Sequence, residues 1–384
     1  MLDDTARAYI HLANIQFSPR LLWSLLAHFE NDPCKVMGAT DAERESVPGW
    51  LIRHTERFHD RQYEVATKQW DWFQANFSQI IPHTEVDYPP LLREIHDPPP
   101  FLFVYGNYTQ QDHLAVAIVG SRRATPYGRA VAEQMARELS LHGVTILSGG
   151  AAGIDTAAHR GAVSAQGRTM AVLGCGVDVC YPQENRTLFD QIRRQGALIS
   201  EYPYCSQPET WRFPARNRII SGMSHAILIV EAPKQSGALI TARYAAEHGR
   251  PLLVTPGNID RPMSVGTNEL LREGAAPCLE VGDILQILRI LPVKAQNSQQ
   301  TSLKFEEVTP TLKVKASSKP EPVYSDLTPT AQKVMQQLSD VPQHIDEIAS
   351  ATAMDTGAMG MELTLLELSG LVTRLPGNTW VRVP

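Results

Sequence analysis

Three short segments bring together small, hydroxyl-bearing and basic residues in the way a phosphate site requires. They are Gly120-Ser121-Arg122-Arg123, Ser148-Gly149-Gly150-Ala151-Ala152-Gly153-Ile154-Asp155 and Lys234-Gln235-Ser236-Gly237. Glycines let backbone N–H groups approach an anion, and a helix starting just after such a loop adds partial positive charge. Arg122 adds a planar, permanently charged fork suited to phosphate oxygens. One such loop would serve as a plain strand-to-helix turn; three on one edge, one with paired arginines, point to an anion site. A fourth segment, Trp211-Arg212-Phe213-Pro214-Ala215-Arg216-Asn217-Arg218-Ile219-Ile220, holds three arginines within seven residues, interleaved with two aromatic rings. Unpaired bases stack on ring and guanidinium faces for about 1–3 kcal/mol each, so this composition suits a single strand. Phe213 and Ile219 could also serve the core.

Other chemistries find less support. No Gly-x-Gly-x-x-Gly follows the first predicted strand and no G-x-x-x-x-G-K-[ST] occurs, which argues against dinucleotide cofactors and P-loop ATP hydrolysis. Asp155 and His159, four apart on one helix face, with Asp178 and Glu201 near in sequence, form a conceivable acid/base set. The simpler expectation is that Asp155 caps its own loop and His159 packs against it. Cys34, Cys175, Cys180, Cys205 and Cys278 are odd in number and lack C-x-x-C spacing, and no His/Cys cluster completes a zinc site. No metal or cofactor is predicted.

The elements that must hold these loops follow from the apolar pattern. Short β-rich runs, VAIVG (116–120), VTILS (144–148), MAVLG (170–174), ALIS (197–200), HAILIVE (225–231) and PLLVT (251–255), alternate with amphipathic helices. One helix opens near Pro126 and repeats Val131, Met135 and Leu139 every four residues. This pattern predicts an α/β, Rossmann-like, doubly wound parallel sheet, whose ligands sit outside the carboxyl ends of its strands, where the loops above fall. Residues 1–85 read as a small helical domain, 86–292 as the Rossmann-like domain, 293–326 as a flexible Pro/Ser-rich linker and 327–384 as a winged helix. The Val47-Pro48-Gly49-Trp50 turn could belong to a backbone-binding helical hairpin, but Asp41, Glu43 and Glu45 surround it and favour a structural or protein-contact role.

The 384 residues carry a formal net charge of -6, so any nucleic-acid site must be a local concentration of arginine and lysine. The acidic N-terminus lacks the basic start and apolar run of a secretory signal, and no stretch reaches the ~18 apolar residues of a membrane span. A soluble, cytoplasmic protein is expected.

From about Tyr88 to Asp283 the chain resembles the DNA processing protein A family, also called DprA or Smf. The resemblance is carried by VAIVGSRRATPYG, SGGAAGIDTAAHRGA, AVLGCGVDVCYPQEN, FPARNRIISGMS, IVEAPKQSGALITARYAAEHGR and VTPGNIDRPMSVGTNELLREGA, in that order. It implies an extended Rossmann core that binds single-stranded DNA without catalysis, usually as a homodimer. It further implies protection of the strand and help in loading the RecA recombinase during natural transformation. Carried over by position, Gly120, Ser121, Arg122 and Arg123 would form the first phosphate loop, and Gly149 and Gly150 part of the second. Arg212, Phe213, Arg216, Asn217 and Arg218 would face the strand, and Ser236 and Gly237 would lie at a further helix N-terminus. Many relatives have a base where Ala152 stands, which shifts the expected load onto Arg122, Arg123 and Arg212. The N-terminal helices resemble the sterile-alpha-motif-like (SAM-like) unit of longer members. Leu270, Leu271 and Leu285 are apolar positions available to a dimer interface.

The winged helix is expected to meet protein rather than duplex DNA, because residues 325–384 hold seven acids against three bases and the candidate recognition helix carries only Glu362 and Glu367 as charges. The alternative is a nucleoside-monophosphate phosphoribohydrolase-like enzyme on a related fold. Glu231 near Ser236-Gly237 would suit it, but no P-G-G-x-G-T loop is present. A third possibility is an adaptor with an empty pocket.

Overall fold

In the computed structural model, residues 2–15, 17–59, 63–76, 78–290, 328–338, 343–352, 354–369, 371–375 and 378–382 are described, and the expected linker 293–326 lies outside them. The chain forms two compact units, Met1–Ser298 and Gln299–Pro384.

The first unit is built on a nine-stranded sheet: β1 (Gln79–Pro82), β2 (Phe101–Gly106), β3 (Ala115–Val119), β4 (Thr145–Ser148), β5 (Thr169–Val172), β6 (Ala197–Ser200), β7 (Ala226–Ile229), β8 (Leu252–Val254) and β9 (Ala276–Pro277). Their order is β1-β2-β6-β5-β4-β3-β7-β8-β9. All pairs from β6 to β9 are parallel; β2 joins β6, and β1 joins β2, antiparallel. Every residue of β3, β4, β5, β6 and β7 is buried, the signature of strands covered on both faces. The doubly wound α/β fold is therefore present, with an antiparallel pair, β1 and β2, that the sequence pattern does not reveal. From β3 the chain winds outward through β4 and β5 to β6, then returns to β7 on the other side of β3. The switch point of the topology thus lies between β3 and β7, where the loops beyond two adjacent strands diverge and leave a crevice.

The helix Pro126–Leu141 starts with Pro at its first position behind the N-cap Thr125, whose Oγ1 accepts the Gly128 N–H. It packs on Ile154–Ser164 at Gly161, where a Cβ would lie 2.1 Å from the Glu133 carbonyl oxygen. Met135 and Leu139 are buried, as their spacing requires. The N-terminal helices share a hydrophobic cluster with the sheet: Tyr9 packs on Phe101 with ring centroids 4.8 Å apart, and Gln69 donates to the Tyr204 carbonyl at 2.7 Å. Leu285 is buried in one apolar cluster, while Leu270 and Leu271 are half-buried against another.

The second unit has helices Pro329–Gln337, Ile345–Thr352 and Thr356–Leu368 around one apolar cluster, with a small antiparallel sheet of Gln343–His344, Thr379–Arg382 and Val372–Leu375. This is a winged helix. In its third helix, Glu362 accepts from the Thr328 hydroxyl and Glu367 from the Arg374 N–H, while Met361 and Leu365, one turn apart, are exposed. Among the described residues of the chain, no helix is long and apolar enough to cross a membrane.

Candidate functional site

An open cavity of about 640 Å³ occupies the switch point. The loop after β3 lines it with Gly120, Ser121, Arg122 and Arg123, the loop after β7 with Gln235, Ser236 and Gly237, and the helix Arg212–Gly222 with Phe213, Arg216 and Asn217. Nine of the thirteen expected site residues therefore meet around one space. Gly149, Gly150, Arg212 and Arg218 do not line it.

The arginines divide by burial. Arg122 and Arg123 are exposed, and the Arg122 guanidinium lies 5.0 Å from the Phe213 ring centroid. Neither has an ion-pair partner among the described residues, so both charges face solvent and whatever enters. Arg216 is 4% exposed; its Nη1 donates to the Gly149 carbonyl at 2.6 Å and to the Val172 carbonyl. Arg218 is held by Asp97 at 3.1 Å and by Glu201 at 2.5 Å. Arg212 pairs with Glu209 at 2.7 Å, donates to the Gln207 carbonyl and lies between the Tyr202 and Trp211 rings. Arg218 and Arg212, both expected to face the strand, are thus held by carboxylates of the chain and do not line this cavity. Arg216 reaches the cavity wall from below.

The helix N-termini also divide. Thr125, which caps Pro126–Leu141, donates its N–H and hydroxyl to the two Glu231 carboxylate oxygens at 2.8 and 2.5 Å, and the Ser121 N–H goes to the Glu231 carbonyl. A carboxylate of the chain therefore already occupies the place where an anion would meet this dipole. At the second loop Asp155 Oδ2 accepts the Gly149 and Ala151 N–H groups at 3.1 and 3.3 Å. Burial pushes the Asp155 carboxyl up, and the Arg216 charge pulls it down. Gly149 must be glycine here, since a Cβ would lie 2.6 Å from Arg216 Nη2 and 2.7 Å from Asp155 Oδ2. The third helix, Ala238–Glu247, has no acid in its first turn and no side-chain cap. Of the three expected anion-binding helix starts, only the one behind Ser236 and Gly237 is free of a carboxylate.

The conceivable acid/base set is dispersed. His159 is fully buried with Nδ1 2.7 Å from the Thr169 hydroxyl rather than on Asp155, and burial followed by the Arg216 charge pushes its pKa down to about 3. Asp178 accepts the Cys205 N–H and Glu201 holds Arg218. Glu231, the residue an enzyme would use, is 4% exposed, bonded through both oxygens to Thr125, and absent from the cavity lining. Among the described residues no group of His, Cys, Asp and Glu could hold a metal ion.

The cavity also holds an exposed ring that the sequence reading did not single out. Tyr181, 43% exposed, lies beside Phe213 with centroids 5.5 Å apart and ring planes 36° apart. Its signal was its place: Tyr181-Pro182 follows β5, beyond the carboxyl end of a sheet strand. Tyr181, Phe213 and the Arg122 guanidinium make a continuous stacking surface at the mouth of the cavity.

Fold and site define a doubly wound α/β protein that presents exposed arginines and aromatic faces at its switch point, followed along the chain by a winged helix. Residues 79–289 match the family model of the DNA recombination-mediator protein A, and residues 318–378 that of the DprA winged helix domain. The chain belongs to the DprA/Smf family. It is 39% identical over 324 residues to Protein Smf of Synechocystis sp., covering 80% of this chain and 81% of that one. With Protein Smf of Escherichia coli it shares 32% identity over 86% of this chain and 84% of that one. The solved DNA processing protein A of Streptococcus pneumoniae superposes with a TM-score of 0.58 at 32% identity, over 73% of this chain and 97% of that one. That of Helicobacter pylori, solved to explain its single-stranded DNA binding mode, gives 0.50 at 33% identity, over 55% and 95%.

Proposed function

We propose that this chain binds single-stranded DNA at the switch-point cavity, gripping backbone and stacking bases without reading sequence and without catalysis. The observation that carries the reading is the juxtaposition of unpaired, exposed Arg122 and Arg123 with the exposed Tyr181 ring and the Phe213 face. Guanidiniums take phosphates and rings take unpaired bases, a combination that a stacked duplex does not use. The free start of Ala238–Glu247 at Ser236 and Gly237 offers a further phosphate contact. Gly120, Ser121 and Asn217 complete the cavity wall. Arg216 lines the same wall, anchored on the Gly149 carbonyl, whereas Gly150, Arg212 and Arg218 lie outside the lining.

The H. pylori relative supports the choice of ligand. Family membership supports a cytoplasmic role in which the bound strand is protected and passed to the RecA recombinase during transformation or recombination, with the protein acting as a homodimer. The winged helix, with its uncharged exposed helix face, fits a protein partner. The engagement of Glu231 by Thr125 disfavours the phosphoribohydrolase alternative.

Gel-shift titration with matched single- and double-stranded oligonucleotides tests the reading. Preferential retardation of the single strand is expected; equal or no binding overturns it. Release of free base from nucleoside monophosphates would overturn the binding-only function.

A further inference from the structure

A second groove, of about 560 Å³, lies in the N-terminal helices, lined among others by Ser18, Gly49, Leu51, Arg53, His54 and Arg57. Its floor is a hairpin between the helices Asp41–Glu45 and Ile52–His59, turned by Gly49 at a φ of +87° and pinned by buried Val47 and Trp50. Trp50 packs 5.4 Å from Phe17 and 5.7 Å from His54, and its Nε1 donates to the Thr55 hydroxyl. Arg53 and Arg57 stand one turn apart on this rigid floor, both exposed and without ion-pair partners among the described residues. Across the groove, exposed Ser18 caps the ten-residue helix Pro19–His28, whose second residue is the exposed Arg20.

The acids that make this turn unpromising in the sequence are engaged elsewhere. Asp41 is taken by Arg44 and His59, Glu43 closes a capping box with Thr40, and Glu45 accepts from Thr55. Beyond its burial, the charges that act on His54 are those of Arg53 and Arg57, both of which lower its pKa. Glu56, exposed on the same helix, is not part of the lining. The groove is therefore a local cationic site on an acidic protein. Leu51 and Ile52, 48% and 72% exposed, add apolar surface beside the cations.

We propose that this groove is a second phosphate-binding site, which holds the backbone of a single DNA strand away from the switch-point cavity. Arg53 and Arg57 take phosphodiester oxygens, the start of Pro19–His28 adds its dipole, and Leu51 and Ile52 meet unpaired base faces that a duplex would hide. The choice of ligand rests on the binding function proposed above; the site itself is independent of the cavity.

The test is anisotropy titration of the full chain carrying Arg53→Gln and Arg57→Gln, with oligothymidylates of about 8 and about 60 nucleotides, around and well beyond the site size of one binding fold. The long strand is expected to bind at least about five-fold more weakly, with a salt slope shallower by roughly 1.4, that is, about 0.7 for each of two lost contacts. Arg53→Lys with Arg57→Lys should keep most of the affinity, which separates charge from folding. Unchanged affinity and slope for the long strand in the glutamine variant overturns the proposal. So does a loss confined to vesicles of phosphatidylglycerol, which would make the groove a lipid-headgroup site. Failure of the cavity reading is distinguishable: there Arg122→Ala binds the short strand as the unaltered protein does, while the glutamine variant still loses the long one.

Discussion

Arg122 and Arg216 border the same cavity and carry the same group, yet one is exposed with its guanidinium over Phe213, and the other is 4% exposed with its Nη1 committed to two carbonyls. The first can exchange water for a phosphate at little cost to the fold. The second was desolvated during folding, which lowers its pKa, and the nearby Asp155 charge offsets part of that penalty. Charge near a site is thus of two kinds, one available for binding and one that builds the wall. The same division separates Arg123 from Arg212 and Arg218, each of which is held by a carboxylate.

The sharpest way to break this comparison is to remove the buried member. Arg216→Met leaves Asp155 buried without its cation and the Gly149 carbonyl without its donor, a loss of about 3–5 kcal/mol in stability. Chemical denaturation should show it as a large fall in midpoint. Arg122→Ala should move the same midpoint by less than about 0.5 kcal/mol. Equal stability of the two variants would erase the distinction.

His159 probes the buried side through pH. Its pKa is about 3 in the folded chain against an ordinary 6.5, pushed down by burial and further by Arg216. Between those values the unfolded chain binds a proton that the folded one refuses. The contribution is fully present above pH 6.5 and is lost as pH falls towards 3, by up to about 1.4 kcal/mol per pH unit. Urea unfolding at pH 7, 5.5 and 4 should show this slope, and His159→Gln should flatten it.

The distinction explains what the sequence could and could not disclose. Gly120 to Arg123 and Ser236-Gly237 were readable because they follow apolar strand runs, and the carboxyl ends of parallel strands are where a doubly wound sheet opens. That Arg212, Arg216 and Arg218 turn inward was not readable, because their partners are set by the tertiary fold: Asp97 precedes Arg218 by most of the sheet, Gly149 follows β4 and Val172 ends β5. Glu231 reaches Thr125 across 106 residues, so no local pattern shows that the first helix start is already capped by an acid. Tyr181 had the right position but no adjacent arginine or second ring in the sequence to mark it. Phe101–Gly106 is as apolar as any assigned strand, yet its antiparallel pairing with β6 follows only from the assembled sheet.

On the exposed side, Arg122→Ala should weaken single-strand binding by about 1.5–3 kcal/mol, the range of a hydrogen bond to a charged group, and reduce the salt slope by about 0.7. Tyr181→Ala should cost about 1–3 kcal/mol through lost stacking while leaving the slope unchanged. Titration at several salt concentrations separates a phosphate contact from a base contact. A change of slope in Tyr181→Ala, or none in Arg122→Ala, would reassign those roles.

The smallest effect is expected from an arginine that is exposed but has no cavity. Arg374 of the winged helix lies 5.7 Å from the Trp380 ring centroid and donates to Asn378 at 2.6 Å, so by exposure and aromatic neighbour alone it resembles Arg122. It differs in its surroundings: the third helix of that unit presents Met361 and Leu365, and no base, to solvent. If availability for phosphate requires convergence of several cations and rings, Arg374→Ala should leave single-strand affinity within about two-fold, under roughly 0.5 kcal/mol. A loss as large as that of Arg122→Ala would mean that the winged helix contributes to the grip, and that exposure rather than convergence makes an arginine a DNA ligand in this chain.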